Sequence, residues 1–306
     1  MTSASEFAGG MSAQWDIVTG VGFTALAVAA GRAMETNREG GLVSDPYAEA
    51  FVRAADAPIE LPTRSDGTEE DPDVPWSTMA RYMGVRSRYF DEYFGTASAG
   101  VSQMVLLAAG LDARAFRLNW PAGTTVYELD APKVLEFKDR VLGEQGARPR
   151  ADRRLVAVDL REEWTRLLRA AGFDPTRPSA WLAEGLLPFL PNAAKEQLLR
   201  TVDELTVAGS TIELEYVADL ASLRRDPDFI ERRNRMVERI GFDITQLWPD
   251  EEEDFLVDTW LREHGWAVTV DHVDDVADRY GVQFEEETMF PAHGGQFVTA
   301  RKSAGG

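Results

Sequence analysis

Cysteine is absent from all 306 residues. That excludes disulfides, cysteine-ligated zinc, thiol nucleophiles and cysteine-held iron–sulfur clusters. Basic charge is scarce: 32 Lys and Arg stand against 52 Asp and Glu, for a net charge of −20. A phosphate backbone requires clustered cations, and the basic residues here are interleaved with acids, so no nucleic-acid partner is expected. Long apolar runs are missing too. The longest near the N-terminus, Val21 to Ala30, has no basic lead and is too short to span a bilayer. It reads as a core helix, and a cytoplasmic location without a membrane partner is expected. Only three histidines occur, His264, His272 and His293, and no metal site or obvious catalytic triad is expected. A glycine-rich GxGxxG turn is also lacking, which weakens a dinucleotide reading.

What is present is apolar and alternating. A hydrophobic fraction of 44% can fill a sizeable core. Residues 1–15 read as a disordered tail, and 61–75, rich in proline and acids, as a loop. Helical spacing marks 23–39 and 76–94. Short apolar strands then fall at 103–109, 125–129 and 154–158, from 180, and at 210–217. Amphipathic helices separate them, from Pro132, over 161–171 and over 192–207. This alternation is the pattern of βαβ units and a mainly parallel sheet. Residues 218–256 break the rhythm as a helical insert carrying Phe229, Met236, Val237 and Ile240 on one face. A helix is expected over 251–264. Closing strands are expected at 266–270 and 296–300, with antiparallel pairing. The whole reads as a tail followed by a single domain over 16–306: an N-terminal helical part over 16–95, an α/β core over 96–217, the insert, and closing strands over 257–306.

Open parallel sheets bind ligands at the carboxyl ends of their strands, so the residues just past each strand carry the chemistry. After the first strand come Ala108, Ala109 and Gly110, small residues that allow either close ligand approach or tight packing. After the second comes Asp130, about twenty positions beyond Gly110, where a carboxylate accepts hydrogen bonds from ribose hydroxyls. Its bland alternative is an N-cap for the helix entered at Pro132. Glu128, two residues earlier, is expected to face away from the ligand. After the third strand, Asp159 and Leu160 suit an adenine, while Asp159 with Glu162 equally suits a capping box. After the fourth, Glu184 stands alone in the apolar run from Trp181 to Leu190. An unpaired carboxylate there is costly, so it needs a cationic ligand or a local arginine.

Taken together these residues resemble the leucine carboxyl methyltransferase family, and more closely its bacterial, actinobacterial branch of S-adenosylmethionine-dependent methyltransferases. The resemblance spans about residues 15–302. It rests on Ser44-Asp45-Pro46-Tyr47, on 81–94, on the run AGLDARAFRL over 109–118, on YELDAPKVLEFK over 127–138, on Val158-Asp159-Leu160 and on Ala183-Glu184-Gly185-Leu186. It implies a Rossmann-like class I methyltransferase fold: a seven-stranded sheet with N-terminal helices and an insert over the active site. It also implies the cofactor S-adenosyl-L-methionine, leaving as S-adenosyl-L-homocysteine. Arg81 matches the arginine that pairs with the methionine carboxylate, with Arg32 as a second basic residue. Gly110 lies under the methionine part, Asp130 holds the ribose, Asp159 and Leu160 the adenine, and Glu184 lines the pocket. One departure is Ala108, where the family carries glycine. Alanine suits the fold there if its φ is negative, and cofactor affinity is what the change puts in doubt.

Methyl transfer from a sulfonium is an in-line displacement that needs positioning more than acid–base help. The expected reaction is O-methylation of a carboxylate or hydroxyl on a small-molecule or peptide acceptor. A carboxylate needs no base, whereas a hydroxyl does, and His293 is then the candidate, with a structural role as its alternative. The rival readings are a cofactor-binding protein without turnover and an NAD-linked oxidoreductase.

Overall fold

The computed structural model describes residues 17, 20–57, 59–65, 76–284 and 294–303. The disordered-tail expectation for 1–15 and most of the 61–75 loop therefore lie outside the described residues, as does His293. The chain begins with α1 (Gly20–Asn37), α2 (Ala48–Ala54) and α3 (Trp76–Ala97). The alternating core follows: β1 (Gln103–Leu107), α4 (Arg114–Arg117), β2 (Thr125–Asp130), α5 (Pro132–Glu144), β3 (Asp152–Ala157), α6 (Thr165–Ala170), β4 (Ala180–Ala183), α7 (Asn192–Glu204) and β5 (Thr211–Val217). The insert carries α8 (Leu220–Leu223), α9 (Pro227–Ile240) and a 3-10 turn (Ile244–Leu247). The chain closes with α10 (Val257–Glu263), β6 (Trp266–His272), α11 (Val273–Arg279) and β7 (Gly295–Lys302).

The seven strands form one sheet in the order β3-β2-β1-β4-β5-β7-β6. The first five run parallel, and β7 lies antiparallel between β5 and β6. Period-2 alternation divides the side chains of β1 between two cores. Met104 and Leu106 join the layer built on α1, α3 and α11, while Val105 and Leu107 join the layer under α7 and α10. Every β1 residue is buried, which is why this strand reads as an unbroken apolar run. Strand order reverses between β1 and β4, so the carboxyl ends diverge there and open a crevice.

Two features of the N-terminal helices set the crevice wall. A Cβ at Gly31 of α1 would stand 2.7 Å from Met83 Cγ of α3, so any larger residue here would push Met83 and the two helices apart. The crossing brings Arg32 and Arg86 to the same wall. Opposite them, α9 is a well-terminated helix. The Asp226 carboxylate accepts from Phe229 N at 2.7 Å, Pro227 opens the first turn, and Gly241 ends it at φ 69°. Phe229 and Met236 face inward while its charged residues face solvent.

The expected helix over 251–264 is cut back to Val257–Glu263. The acidic residues before it serve neighbouring helices instead. Glu251 accepts from Asn192 N at 3.0 Å at the start of α7, and Asp254 accepts from Ala221 N at 3.2 Å in α8. Likewise α6 starts at Thr165 rather than near 161, because the chain turns at 161–162 before entering the helix. Among the described residues, no helix is long and apolar enough to cross a membrane.

Candidate active site

A cavity of about 510 Å³ opens at the strand-order reversal. Its floor is made by the loops after β1 to β4, its walls by α1 and α3, and its roof by the insert. Ala108, Gly110, Asp130, Asp159, Leu160, Glu184 and Arg32 all line it. Seven residues chosen from sequence thus meet in one chamber.

Gly110 has φ +45°, and a Cβ built on it would meet only Ala108 O, at 3.9 Å. Its face toward the cavity is therefore open to a ligand. Ala108 also has positive φ, +50°, so the condition of a negative φ for an alanine here is not met. The left-handed region costs a Cβ-bearing residue about 1–2 kcal/mol.

Asp130 ends β2 and holds this loop. Its Oδ2 accepts from Gly110 N at 2.6 Å and its Oδ1 from Ala131 N at 2.6 Å. Ala131, not Asp130, is the N-cap of α5, and the cap carries no side-chain hydrogen bond. Burial pushes the Asp130 carboxyl up, against the pull of those two backbone donors. Glu128 lies on the same sheet face, since period 2 returns at the second residue, but deeper. It is fully buried, with Lys138 Nζ at 2.8 Å and Arg153 Nη2 at 2.7 Å. Depth, not facing, separates the two acids.

Asp159 makes no capping box. It accepts from Arg161 N at 2.9 Å and pairs with the same guanidinium, an exposed partner that lowers its pKa. Glu184 has a local answer to its isolation. Arg86 Nε lies 3.0 Å from Oε1, and Arg114 Nη1 donates to Oε2 at 2.7 Å. Burial alone would raise its pKa, but the two guanidiniums hold it below the usual value.

Arg81 departs from expectation. It is exposed on α3 and does not line the cavity. At about 100° per residue, position 81 lies some 140° around the helix from position 86, whereas Met79, Met83 and Arg86 share the inward face. Arg86 is buried, and its Nη1 donates to both oxygens of Glu215 at 3.0 Å. Tyr82 donates a short bond to Glu215 Oε1, and Gly185 N donates to Oε2 at 2.7 Å. Arg32 gives Nε to Asp45 at 3.0 Å and Nη2 to Leu111 O at 2.8 Å, beside the Gly110 loop.

Sequence reasoning missed Glu215, Arg86, Arg114 and Asp112. Buried Arg114 joins Asp112, Asp91 and Glu184. Although burial opposes it, Arg114 with Lys138 and Arg117 holds the Asp112 carboxyl at about 2. The available signal was charge in buried company: Glu213 and Glu215 alternate within the apolar strand TIELEYV, where each carboxylate demands a partner.

Among the described residues, five carboxylates (Asp112, Asp130, Asp159, Glu184, Glu215) and three guanidiniums (Arg32, Arg86, Arg161) line the chamber. No group of His, Asp or Glu among them is arranged to hold a metal.

A profile of the leucine carboxyl methyltransferase family matches residues 25–203. A Mycobacteroides abscessus protein named for S-adenosyl-L-methionine-dependent methyl transfer is 48% identical over 276 residues, covering 89% of this chain and 88% of its own. A Saccharopolyspora erythraea protein of the same name is 45% identical, covering 94% and 98%. A methyltransferase crystal structure from Thermobifida fusca superposes with a TM-score of 0.51 over 92% of this chain and 94% of that one. At 16% identity that likeness is one of fold. The profile spans more than half of the sequence and the relatives match along most of both lengths, so the chain belongs to the leucine carboxyl methyltransferase family.

Proposed function

We propose that the chain transfers a methyl group from S-adenosyl-L-methionine to a carboxylate oxygen of a small acceptor. The observation that carries this reading is the meeting of the Gly110 loop, Asp130, Asp159 and Glu184 in one chamber at the strand-order reversal. The chamber fits the cofactor on its own chemistry. A sulfonium and an ammonium outnumber one carboxylate in that molecule, and the lining carries five acids against three arginines. Gly110 leaves backbone open to contact, and each Asp130 oxygen keeps a lone pair beyond its backbone donor.

In this assignment Asp130 holds the ribose hydroxyls, Asp159 and the Leu160 backbone hold the adenine, and Glu184 faces the ammonium. The methionine carboxylate falls to Arg32, next to the Gly110 loop, with Arg86 below, rather than to Arg81. Bound there, the cofactor supplies an electrophilic methyl group on a positive sulfur. The protein contributes orientation and exclusion of water. Glu184 and Glu215 are locked by Arg86 and Arg114, so the floor keeps its shape when the chamber fills. Lining residues include no histidine or lysine among those described, which suits an acceptor already ionised. A hydroxyl acceptor would require a base, His293 or another.

Calorimetric titration with S-adenosylhomocysteine tests the assignment. Asp130→Ala and Arg32→Ala are expected to weaken binding at least about tenfold, roughly 1.4 kcal/mol, while Arg81→Ala keeps wild-type affinity. Unchanged affinity in folded Asp130→Ala and Arg32→Ala, or tight binding of NADH in place of S-adenosylhomocysteine, defeats it.

A further inference from the structure

The polar floor accounts for only part of the chamber. Its other half is walled by Val28 of α1, Met79 and Met83 of α3, Met236 and Ile240 of α9, and Phe242. No backbone ladder requires these apolar side chains to face an opening. In a helix such as α9 they would ordinarily be sealed against a neighbour. Here they surround space.

Each cation of the chamber already has an acid partner, and Arg32 with Arg86 is assigned the cofactor carboxylate besides. Arg32 pairs with Asp45, Arg86 with Glu184 and Glu215, and Arg161 with Asp159. An acceptor bearing several ionised groups would add charge to a lining that already carries more acids than bases. Its desolvation would go uncompensated. A single carboxylate, by contrast, adds the least charge to this lining and leaves the rest of the acceptor apolar.

The roof bounds the size. Phe242, just past α9, meets Phe23 of α1 edge-on with centroids 4.8 Å apart, and Phe229 stacks on Trp248 at 6.1 Å. The first contact ties the insert to α1, and the second braces the insert internally. The space beneath must hold both cofactor and acceptor within about 510 Å³, inside the range of a single small-molecule pocket, roughly 300–1,000 Å³. Three of the wall residues are methionines, whose flexible thioethers adapt to hydrocarbon of irregular shape.

From these observations we infer that the acceptor is a small monocarboxylic acid with an apolar body, seated between α9 and the α1–α3 wall. The inference rests on the methyltransferase reading above and narrows its acceptor. In the reaction a carboxylate oxygen forms a bond to the methyl carbon while the carbon–sulfur bond breaks. The electron pair stays on sulfur, no proton moves, and the products are a methyl ester and S-adenosylhomocysteine.

The test pairs labelled methyl transfer with S-adenosylhomocysteine calorimetry on the full chain. Octanoate, dodecanoate and naphthoate represent the proposed class, succinate and citrate the polar acids, and a leucine-terminated peptide a protein C-terminus. Methyl esters are expected from at least one apolar acid and from neither polar acid. Ile240→Glu is expected to raise the KM for that acid at least about tenfold while leaving S-adenosylhomocysteine affinity within about twofold, because the charge enters only the acceptor half. If Ile240→Glu does not fold, Ile240→Ser replaces it, with a smaller increase in the same direction. Normal S-adenosylhomocysteine binding with transfer only to polar acids or the peptide, with no transfer to any probe, or with an unmoved KM in the variant overturns the acceptor class alone. Failure of the wild type to bind S-adenosylhomocysteine overturns the cofactor reading itself.

Discussion

Glu213 offers the sharpest quantitative test of how dry the sheet is behind the site. It lies on β5 two residues before Glu215, is fully buried, and its Oε2 accepts from Thr299 Oγ1 at 2.6 Å. Burial pushes its carboxyl from 4.5 up to about 8, with the Thr299 hydroxyl pulling the other way and Asp271 adding a smaller upward push. A carboxyl whose folded pKa is raised favours folding while it stays protonated. Its contribution is complete below the unfolded pKa, near 4.5, and is lost as pH climbs to about 8. Each pH unit in that window costs about 1.4 kcal/mol, so the whole span is worth about 5 kcal/mol. Glu213→Gln stays neutral in both states and removes that slope. Urea unfolding of wild type and variant should therefore diverge by about 3 kcal/mol in the variant's favour between pH 5.5 and 7.5, and run parallel above about pH 8.5. Any pH-independent offset from the amide's own hydrogen bonds drops out of the comparison. General acidic repulsion drops out to first order, since every other charge is shared. Parallel profiles across pH 5.5 to 7.5 would refute the argument, showing that Glu213 ionises as if wet.

Two further outcomes follow from strain and from pairing. Ala108→Gly relieves a left-handed alanine worth about 1–2 kcal/mol but loosens the unfolded chain by about 0.4–1 kcal/mol. A net gain of about 0.5–1 kcal/mol is expected by chemical denaturation, with no loss of S-adenosylhomocysteine affinity; a clear destabilisation would contradict the strain. Arg114→Met leaves the largely buried Asp112 without its ion-pair partner and takes one guanidinium from Asp91 and Glu184, which keep Arg117 and Arg86. It should cost about 3–5 kcal/mol, and more at pH 8 than at pH 6, because the stranded carboxyl takes up protons at the lower pH. A loss below about 1 kcal/mol in the same denaturation series would show that the cluster is solvated.

The membership of the chamber was legible largely because the residues lining its floor sit at or just past strand ends. Strand ends are local features: apolar runs stop, Asp130 closes β2, and Gly110, Asp159 and Glu184 follow their strands within one to three residues. The arginines were harder. Arg81 and Arg86 belong to one helix and share a side-chain type, and the sequence around them fits either facing. The choice depends on which side of α3 meets α1, a rotation fixed by the close crossing at Gly31. The partner of Glu184 was foreseen as a choice between ligand and local arginine. Only folding could supply Arg114, 70 positions away along the chain.

Composition and periodicity by themselves determined the alternating α/β core, its parallel strands, the helical insert and the loops that floor the chamber. Those properties arise from interactions between residues close in sequence. Tertiary structure alone decided the seating of β7 between β5 and β6, the diversion of Glu251 and Asp254 to cap other helices, and the left-handed Ala108. It also decided the burial of Glu215 beneath Arg86 and Tyr82. Each depends on which distant surfaces meet, and a buried charge or a strained φ is tolerated only once the surrounding packing is complete.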